Sequence, residues 1–175
     1  MSKVTGLQYC KIRDELIIEF LKTATPKERH QLISEWNWDA GGTDIFQWIA
    51  HDPNTDKATA LMLYWKNNPW MIKKYASRDE IGEMFAYEFD IIEDIERLYL
   101  ADFYQNHQFS FDPSSNAGED GVDWTVKPHY IVAKREIPAL MFEKLTGEDI
   151  LCSEYFDEGI PPHIKDKMRE FEIVG

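Results

Sequence analysis

Signals that start and stop helices recur at short intervals through the first hundred residues. Thr25, Pro26 and Glu28 have the pattern of an N-cap, a first-turn proline and the acid of a capping box. Asp56 can cap the apolar segment that follows it, and the pair Asn68-Pro69 ends that segment. Because a chain interrupted so often cannot form long helices, we predict an antiparallel array of short helices.

The longest predicted helix begins after Ser77. Ser77 and Glu80 have the spacing of a capping box, and helical periodicity continues from there to Tyr104. The apolar residues of this run recur on one stripe, which is expected to face the core: Ile81, Phe85, Ile92, Ile95 and Tyr99.

The rest of the chain is less regular. Residues 105–123 are rich in Ser, Asn, Asp and Gly and predict a loop. The β-branched and aromatic residues of 123–136 predict one or two short strands, interrupted by Pro128. Prolines and Gly147 bracket a predicted helix over 137–147, and a final helix is expected from Pro162.

These patterns predict a mainly α fold with a small β element around 108–135. We expect residues 1–105 to form the helical array. Residues 106–175 are expected to contribute a loop, short strands and two helices that pack on the array. The chain is long enough for one cooperative domain with its own core.

The charge of the chain is concentrated in one quarter of its length. The net charge is −13, yet residues 79–123 hold 13 acidic side chains against a single basic one, Arg97. Such a field disfavours nucleic acids and anionic membranes as partners and accelerates encounter with a basic protein. The alternative is that the acidic residues only keep the protein in solution.

Localisation is predicted from what the sequence lacks. No apolar run approaches the roughly 20 residues of a membrane helix, and the N-terminal segment lacks a signal peptide. Cys10 and Cys152 belong to no Cys-x-x-Cys motif, so a disulfide framework is not expected. We predict a cytoplasmic protein.

The segment 35–65 contains four of the six tryptophans and an Asn-Trp-Asp sequence before a glycine pair. Asn and Asp can bond the backbone at a helix end, and glycine can adopt positive φ, so the pattern is typical of helix–turn–helix packing. We interpret it as a structural motif rather than a catalytic one, with its main positions at Asn37, Trp38, Asp39, Gly41, Thr59 and Trp65.

This segment resembles a bacterial family, the domain of unknown function numbered 4274. The family has an Asn-Trp-Asp-(Asp/Ala)-Gly motif and, after a short apolar helix, a Thr-Ala-Leu-Met/Leu-hydrophobic-Tyr/Phe-Trp motif. Here the motifs match residues 37–42 and 59–65, although glycine is doubled, and no resemblance is seen beyond Glu80. The resemblance implies a small cytoplasmic protein without an assigned activity. For some members it implies a place near polymorphic or contact-dependent toxin genes, where immunity proteins are found.

No catalytic motif is present in the sequence. HExxH, Walker A, GxGxxG and GxSxG are all missing, so we predict no catalytic residue and no cofactor. The one enzymatic alternative is a metal site, because Asp90 and Asp94 lie at i and i+4, with Glu83 seven residues before Asp90. A charged outer helix face explains the same spacing, and we predict no metal.

Acidic and aromatic residues alternate through 83–113, which is typical of a surface that binds a basic protein. Carboxylates would steer encounter while aromatic side chains anchor the complex. The residues predicted to contact the partner are nine carboxylates of the acidic region 79–123, together with two in a second lip at 155–164: Glu83, Asp90, Glu93, Asp94, Glu96, Asp102, Asp112, Glu119, Asp120, Asp157 and Glu158.

We therefore predict a non-catalytic protein-binding protein, and most specifically an immunity protein that neutralises a basic toxin. Two alternatives stay open. The first is a helical scaffold or regulatory module whose partner docks in a groove between helices. The second is the metal-dependent enzyme.

Overall fold

The computed structural model describes residues 2–115 and 123–174. Over these ranges the protein is mainly helical, as predicted, and its helices are short. The elements, in chain order, are β1 (Ser2–Val4), α1 (Gly6–Leu21), α2 (Pro26–Glu35), α3 (Thr43–His51), α4 (Lys57–Lys66), α5 (Pro69–Lys73), α6 (Arg78–Ile81), α7 (Ala86–Leu100), α8 (Pro162–Met168) and β2 (Phe171–Ile173). Three 3₁₀ turns, at Trp38–Ala40, Glu83–Phe85 and Ala139–Phe142, complete them.

The chain divides into two compact units. Unit 1 comprises Met1–Ile49 and Ile150–Gly175, and unit 2 comprises Ala50–Asp149. The prediction of a helical array over 1–105 within one domain that unfolds cooperatively stays a prediction.

Unit 1 is built on two capped helices. Thr5 caps α1, since its Oγ1 accepts a hydrogen bond from the Gln8 amide at 3.2 Å while the Gln8 side chain accepts one from the Thr5 amide at 2.9 Å. The predicted capping box at Thr25 and Glu28 is present in the same form at the start of α2. Both boxes satisfy backbone N–H groups that a helix start leaves free.

The core of unit 1 contains the apolar faces of these helices. The fully buried side chains of α1, α2 and α3 are Ile17, Leu21, Leu32, Ile33, Ile45 and Ile49. From the C-terminal segment, α8 lies against α1 and buries Ile164 and Met168.

The small β element is a parallel pair of strands at the two ends of unit 1. β1 pairs with β2, with Ser2 opposite Phe171 and Val4 opposite Ile173. Within the predicted range of 108–135, the described residues form only isolated bridges, from Phe109 to Glu148 and from Phe111 to Leu145. The protein thus contains a small β element, as predicted, but its two strands lie at 2–4 and 171–173 and not around 108–135.

The strands predicted over 123–136 are wrong, and the backbone shows why. The Ile131 amide donates to the Pro128 carbonyl at 3.0 Å, which forms a turn. The amides of Lys134 and Arg135 both donate to the Lys73 carbonyl, at 2.8 and 3.3 Å. These three amides bond a turn and the end of α5 instead of a neighbouring strand, and residues 123–136 form no strand in the described part of the chain.

The long helix predicted after Ser77 is also wrong, because Gly82 interrupts it. Gly82 has φ +73° and separates α6 from a 3₁₀ turn and α7. Ser77 makes no capping hydrogen bond, and the Glu80 carboxylate accepts from the Ala76 amide instead. Phe85 is consequently 46% exposed, whereas the stripe on α7 itself is buried as predicted.

Two helices are shorter than the sequence predicts. Over 137–147 only the 3₁₀ turn Ala139–Phe142 forms. α8 begins at Pro162 as predicted but ends at Met168, and the residues that follow become β2. Pairing with β1 satisfies the backbone of 171–173, so the local helical pattern is overridden by a distant partner.

The Trp-rich motif forms a tight turn between α2 and α3. The Asn37 side chain accepts from the Asp39 amide at 3.1 Å, and Gly41 and Gly42 have φ values of +75° and +119°. The Trp36 indole N–H donates to the Gly41 carbonyl at 2.7 Å. Trp38 stacks on Phe46, with ring centroids 4.7 Å apart. These contacts give the motif a structural role.

We expect Gly42→Ala to destabilise the protein strongly. Its backbone has φ +119°, and a Cβ there would lie 2.8 Å from Trp36 Cζ2. The strain and the overlap together should lower the free energy of unfolding by about 3 kcal/mol, measured by urea denaturation. Gly6→Ala is the matched control, because nothing lies within 4 Å of its Cβ position. Equal stability of the two variants would contradict the tight turn at Gly42 and its close contact with Trp36.

We also expect His30 to make stability pH-dependent. Burial lowers the pKa of His30 from 6.5 to about 4. Because the pKa of His30 is lower in the folded state than in the unfolded state, the free energy of unfolding is at its full value above pH 6.5. It falls by about 3 kcal/mol as the pH falls towards 4, since protonation then favours the unfolded chain. Urea denaturation between pH 7 and about 4 measures this dependence, and the free energy of unfolding should depend less on pH in His30→Gln than in wild type. Parallel pH profiles for the two proteins would show that His30 is not responsible.

Candidate functional site

The outward face of α7 carries the carboxylates that the sequence singled out. On the opposite face of this helix, Phe89, Ile92 and Ile95 are buried in the core of unit 2. Asp90 and Asp94 lie one turn apart on the solvent side, with 40% and 30% of their side chains exposed. The structure therefore places these two predicted contact residues together, within reach of a partner.

Each of these carboxylates already has a cation beside it. Asp90 accepts from Arg78 Nε at 2.8 Å, and Asp94 accepts from Arg97 Nη2 at 2.8 Å. His51 Nε2 lies 3.3 Å from the other oxygen of Asp94. The face is therefore a row of exposed ion pairs, and such pairs contribute little to stability because water solvates both members.

The prediction that Glu96 contacts a partner is wrong, because this residue lies on the inner side of α7. The residue is only 7% exposed, so it cannot contact a partner. Its carboxylate accepts a hydrogen bond of 2.5 Å from the Tyr64 hydroxyl and one of 2.7 Å from Lys73 Nζ. Burial raises the pKa of Glu96, against the opposing effect of Lys73 and Tyr64.

Lys73 is the centre of this buried cluster. Its side chain is 2% exposed, and its ammonium also donates to Glu93 Oε1 at 3.0 Å. The same Glu93 oxygen accepts from Arg135 Nη1 at 2.6 Å. Burial raises the pKa of Glu93, but the bonds from Arg135 and Lys73 outweigh it and leave the pKa below its usual value. Glu93, half-buried, thus joins the interior cluster to the outer face.

The remaining predicted contact residues are scattered. In unit 2, Glu83 and Asp102 are exposed, and Asp112 accepts from Lys144 at 2.9 Å. In unit 1, Asp157 forms an ion pair with Lys165 and Glu158 is exposed with φ +54°. Glu119 and Asp120 lie outside the described residues.

Most of the aromatic residues expected to anchor a partner belong to the core. The buried ones are Phe89, Tyr99, Tyr104 and Phe109, each at most 9% exposed. Tyr104 donates its hydroxyl to the Ala50 carbonyl at 2.7 Å. Aromatic anchoring by these four side chains is therefore ruled out. The exposed large apolar side chains at the two ends of α7 are Phe85 and Leu100, at 46% and 50% exposure.

Metal binding finds no support in the geometry. Among residues 2–115 and 123–174, no three His, Cys, Asp or Glu side chains converge as ligands. Asp90 and Asp94 each face an arginine, which occupies the position a cation would take.

Sequence reasoning missed the buried cluster, although one signal for it was present. Glu96 stands four residues after Ile92 and three before Tyr99, so it lies on the apolar stripe of α7. A carboxylate on a buried stripe requires a buried cation or a protonated state. Lys73, at the end of an apolar five-residue helix, is a fitting candidate for that cation.

Comparison with known protein families gives one match. Residues 24–100 match the family described as Domain of unknown function (DUF4274). The resemblance that the motifs predicted is therefore confirmed for this segment, which is similar to the DUF4274 family over 77 of the 175 residues. The match extends twenty residues beyond Glu80, where the recognisable motifs end, and so includes α7. No curated protein and no solved structure matches the chain.

The DUF4274 segment contains four of the five residues of the buried cluster. Tyr64, from the second family motif, donates to Glu96, and Lys73 and Glu93 also lie within the match. Arg135 is the member that lies outside it. The neighbouring Trp65 donates its indole N–H to the Met141 carbonyl at 2.8 Å. The motif thus supplies polar groups that hold the helices of unit 2.

In the described part of the chain, no helix is both long and apolar enough to cross a bilayer.

We expect Lys73→Met to be strongly destabilising, because it leaves two carboxylates without their shared cation. Removing one partner of a buried ion pair typically costs about 3–5 kcal/mol. Adding Glu96→Gln should recover part of that loss in a double-mutant cycle followed by urea denaturation. Arg78→Met, which breaks an exposed pair, should change stability little. If Lys73→Met were no more harmful than Arg78→Met, the cluster would not support the fold.

Proposed function

We propose that this protein is a non-catalytic protein-binding protein whose exposed α7 carboxylates engage a basic partner. In its most specific form the proposal is an immunity protein that neutralises a cognate basic toxin in the cytoplasm. The observation that carries it is the pair Asp90 and Asp94, one turn apart and accessible on α7, in a unit with 19 acidic and 10 basic side chains.

The ion pairs on this face are compatible with exchange. Arg78 and Arg97 are 48% and 62% exposed, so each can turn into solvent when another cation arrives. Because exposed pairs are weak, a guanidinium from a partner could replace them at small cost. The surplus of negative charge in unit 2 would accelerate the encounter.

Rigid support for the face also favours recognition. Glu96 and Glu93 fix α7 to Lys73 beneath it, so Asp90 and Asp94 are presented on a helix that is anchored from inside. A preorganised surface loses less side-chain and backbone freedom on binding.

The test is capture from a lysate of the source cell with tagged protein. Asp90→Lys/Asp94→Lys reverses both accessible carboxylates without touching the buried cluster. Glu15→Lys/Glu19→Lys is the matched control, since these residues are also one turn apart, exposed and paired with lysines on α1. Capture is repeated at low and high salt, about 0.05 and 0.5 M.

We expect one basic protein to bind wild type and the α1 control at low salt, and to be lost with the α7 variant and at high salt. The purified pair should then show inhibition of that protein's toxic activity. A partner that binds all three proteins equally at both salt concentrations would remove the α7 face from the proposal.

A further inference from the structure

A groove in unit 2 is lined by neither Asp90 nor Asp94, on which the proposed function rests. Its volume is about 480 Å³, and it is lined by Trp70 of α5 and by residues of the irregular segment 127–137: Lys127, Ala133, Lys134, Arg135, Glu136 and Ile137. This size suits a few side chains of a bound ligand. Lys134 and Glu136 are exposed, so the groove is open to solvent.

Three of the side chains that line the groove are cationic, and one is acidic. Arg135 donates Nε to the Tyr75 carbonyl and Nη1 to Glu93, while its Nη2 is buried and has no hydrogen-bond partner among the described residues. Lys134 donates to Glu80 at 2.8 Å, which occupies one of the three N–H bonds of its ammonium. Against these donors, Glu136 supplies the carboxylate of the lining. The surplus calls for an occupant rich in acceptors.

Lys127 is the cation most available to such an occupant. Its ammonium donates to the Ile131 carbonyl at 3.0 Å, and it forms no ion pair in the described part of the chain. A lysine ammonium has three donors, so two of them remain for a ligand.

The apolar side of the groove favours a peptide. Trp70 donates its indole N–H to the Trp124 carbonyl at 3.0 Å, so its ring offers an apolar surface beside Ile137. Three exposed apolar residues continue along the same segment: Val126, Tyr130 and Val132, at 64%, 70% and 81% exposure. Exposed apolar side chains next to a concave site are typical of protein contacts.

We propose that this groove binds an acidic peptide segment of a protein partner, with an apolar side chain on Trp70 and carboxylates on Lys127 and Lys134. A short segment brings few negative charges, whereas a nucleic acid would bring a continuous row of phosphates towards an acidic unit. The site is separate from Asp90 and Asp94, so it can be tested independently of the proposed function.

The experiment measures fluorescence anisotropy with a fluorescein-labelled Glu-Phe-Glu-Phe-Glu peptide. Two further probes are a Lys-Phe-Lys-Phe-Lys peptide with the same label and a labelled thymidine hexamer. Lys127→Glu places a repelling charge in the groove, and Trp70→Ala removes its apolar surface. Lys11→Glu is the matched control, because this lysine is 73% exposed on α1 in unit 1. Lys127→Gln, with circular dichroism of each variant, separates loss of binding from loss of folding.

We expect the acidic peptide to bind wild type and the Lys11→Glu control alike. Its affinity should fall at least about tenfold in Lys127→Glu, and less in Lys127→Gln. Asp90→Lys/Asp94→Lys should bind this peptide as wild type does, which distinguishes the groove from the α7 face. The proposal is overturned if the lysine peptide or the thymidine hexamer binds more tightly, if Lys127→Glu binds normally, or if no binding occurs at millimolar peptide.

Discussion

The buried ammonium of Lys73 is the interaction on which unit 2 depends. Its Nζ holds Glu93 and Glu96 of α7, and its carbonyl oxygen accepts the amides of Lys134 and Arg135. One residue at the end of a five-residue helix therefore connects α7 to a segment without regular structure. Because a charge with so little exposure is costly unless it is fully paired, the surrounding groups are constrained to these positions. The Tyr64 hydroxyl completes the arrangement from α4.

This cluster also explains why α7 can present charges outward. The inner side of the helix is fixed by ion pairs to Lys73 and by its buried isoleucines. Glu93 connects the acidic face to the groove. It lies at the edge of the outer face of α7, and it binds Arg135, which lines the groove. The acidic face and the groove thus share one ion pair, although their chemistry is opposite.

The parts of the fold that could be predicted are those decided by neighbouring residues. The capping box at Thr25, the cap at Asp56 and the proline starts of α5 and α8 depend on side chains within one turn of the helix end, and all are present. The errors arose where distant groups decide. Residues 134–135 bond the end of α5, and 171–173 pair with β1, and neither partner is visible in the local pattern.

The candidate site shows the same division. The spacing of Asp90 and Asp94 predicted a shared helix face, because helical geometry alone places them there. Whether a carboxylate is free, paired or buried depends on residues far away in sequence, such as Arg78 for Asp90 and Lys73 for Glu96. Net charge therefore overstated the number of accessible carboxylates. The groove could not be predicted, because it brings Trp70 together with residues more than fifty positions later in the sequence.

The order of the two units along the chain has a consequence for synthesis. Unit 2 is continuous from Ala50 to Asp149, whereas unit 1 needs both Met1–Ile49 and Ile150–Gly175. Because synthesis runs from the N-terminus, every residue of unit 2 is made before α8 and β2 are made. The contact of α1 with α8 therefore forms only after all of unit 2 has been synthesised, so unit 2 can fold before unit 1 is complete.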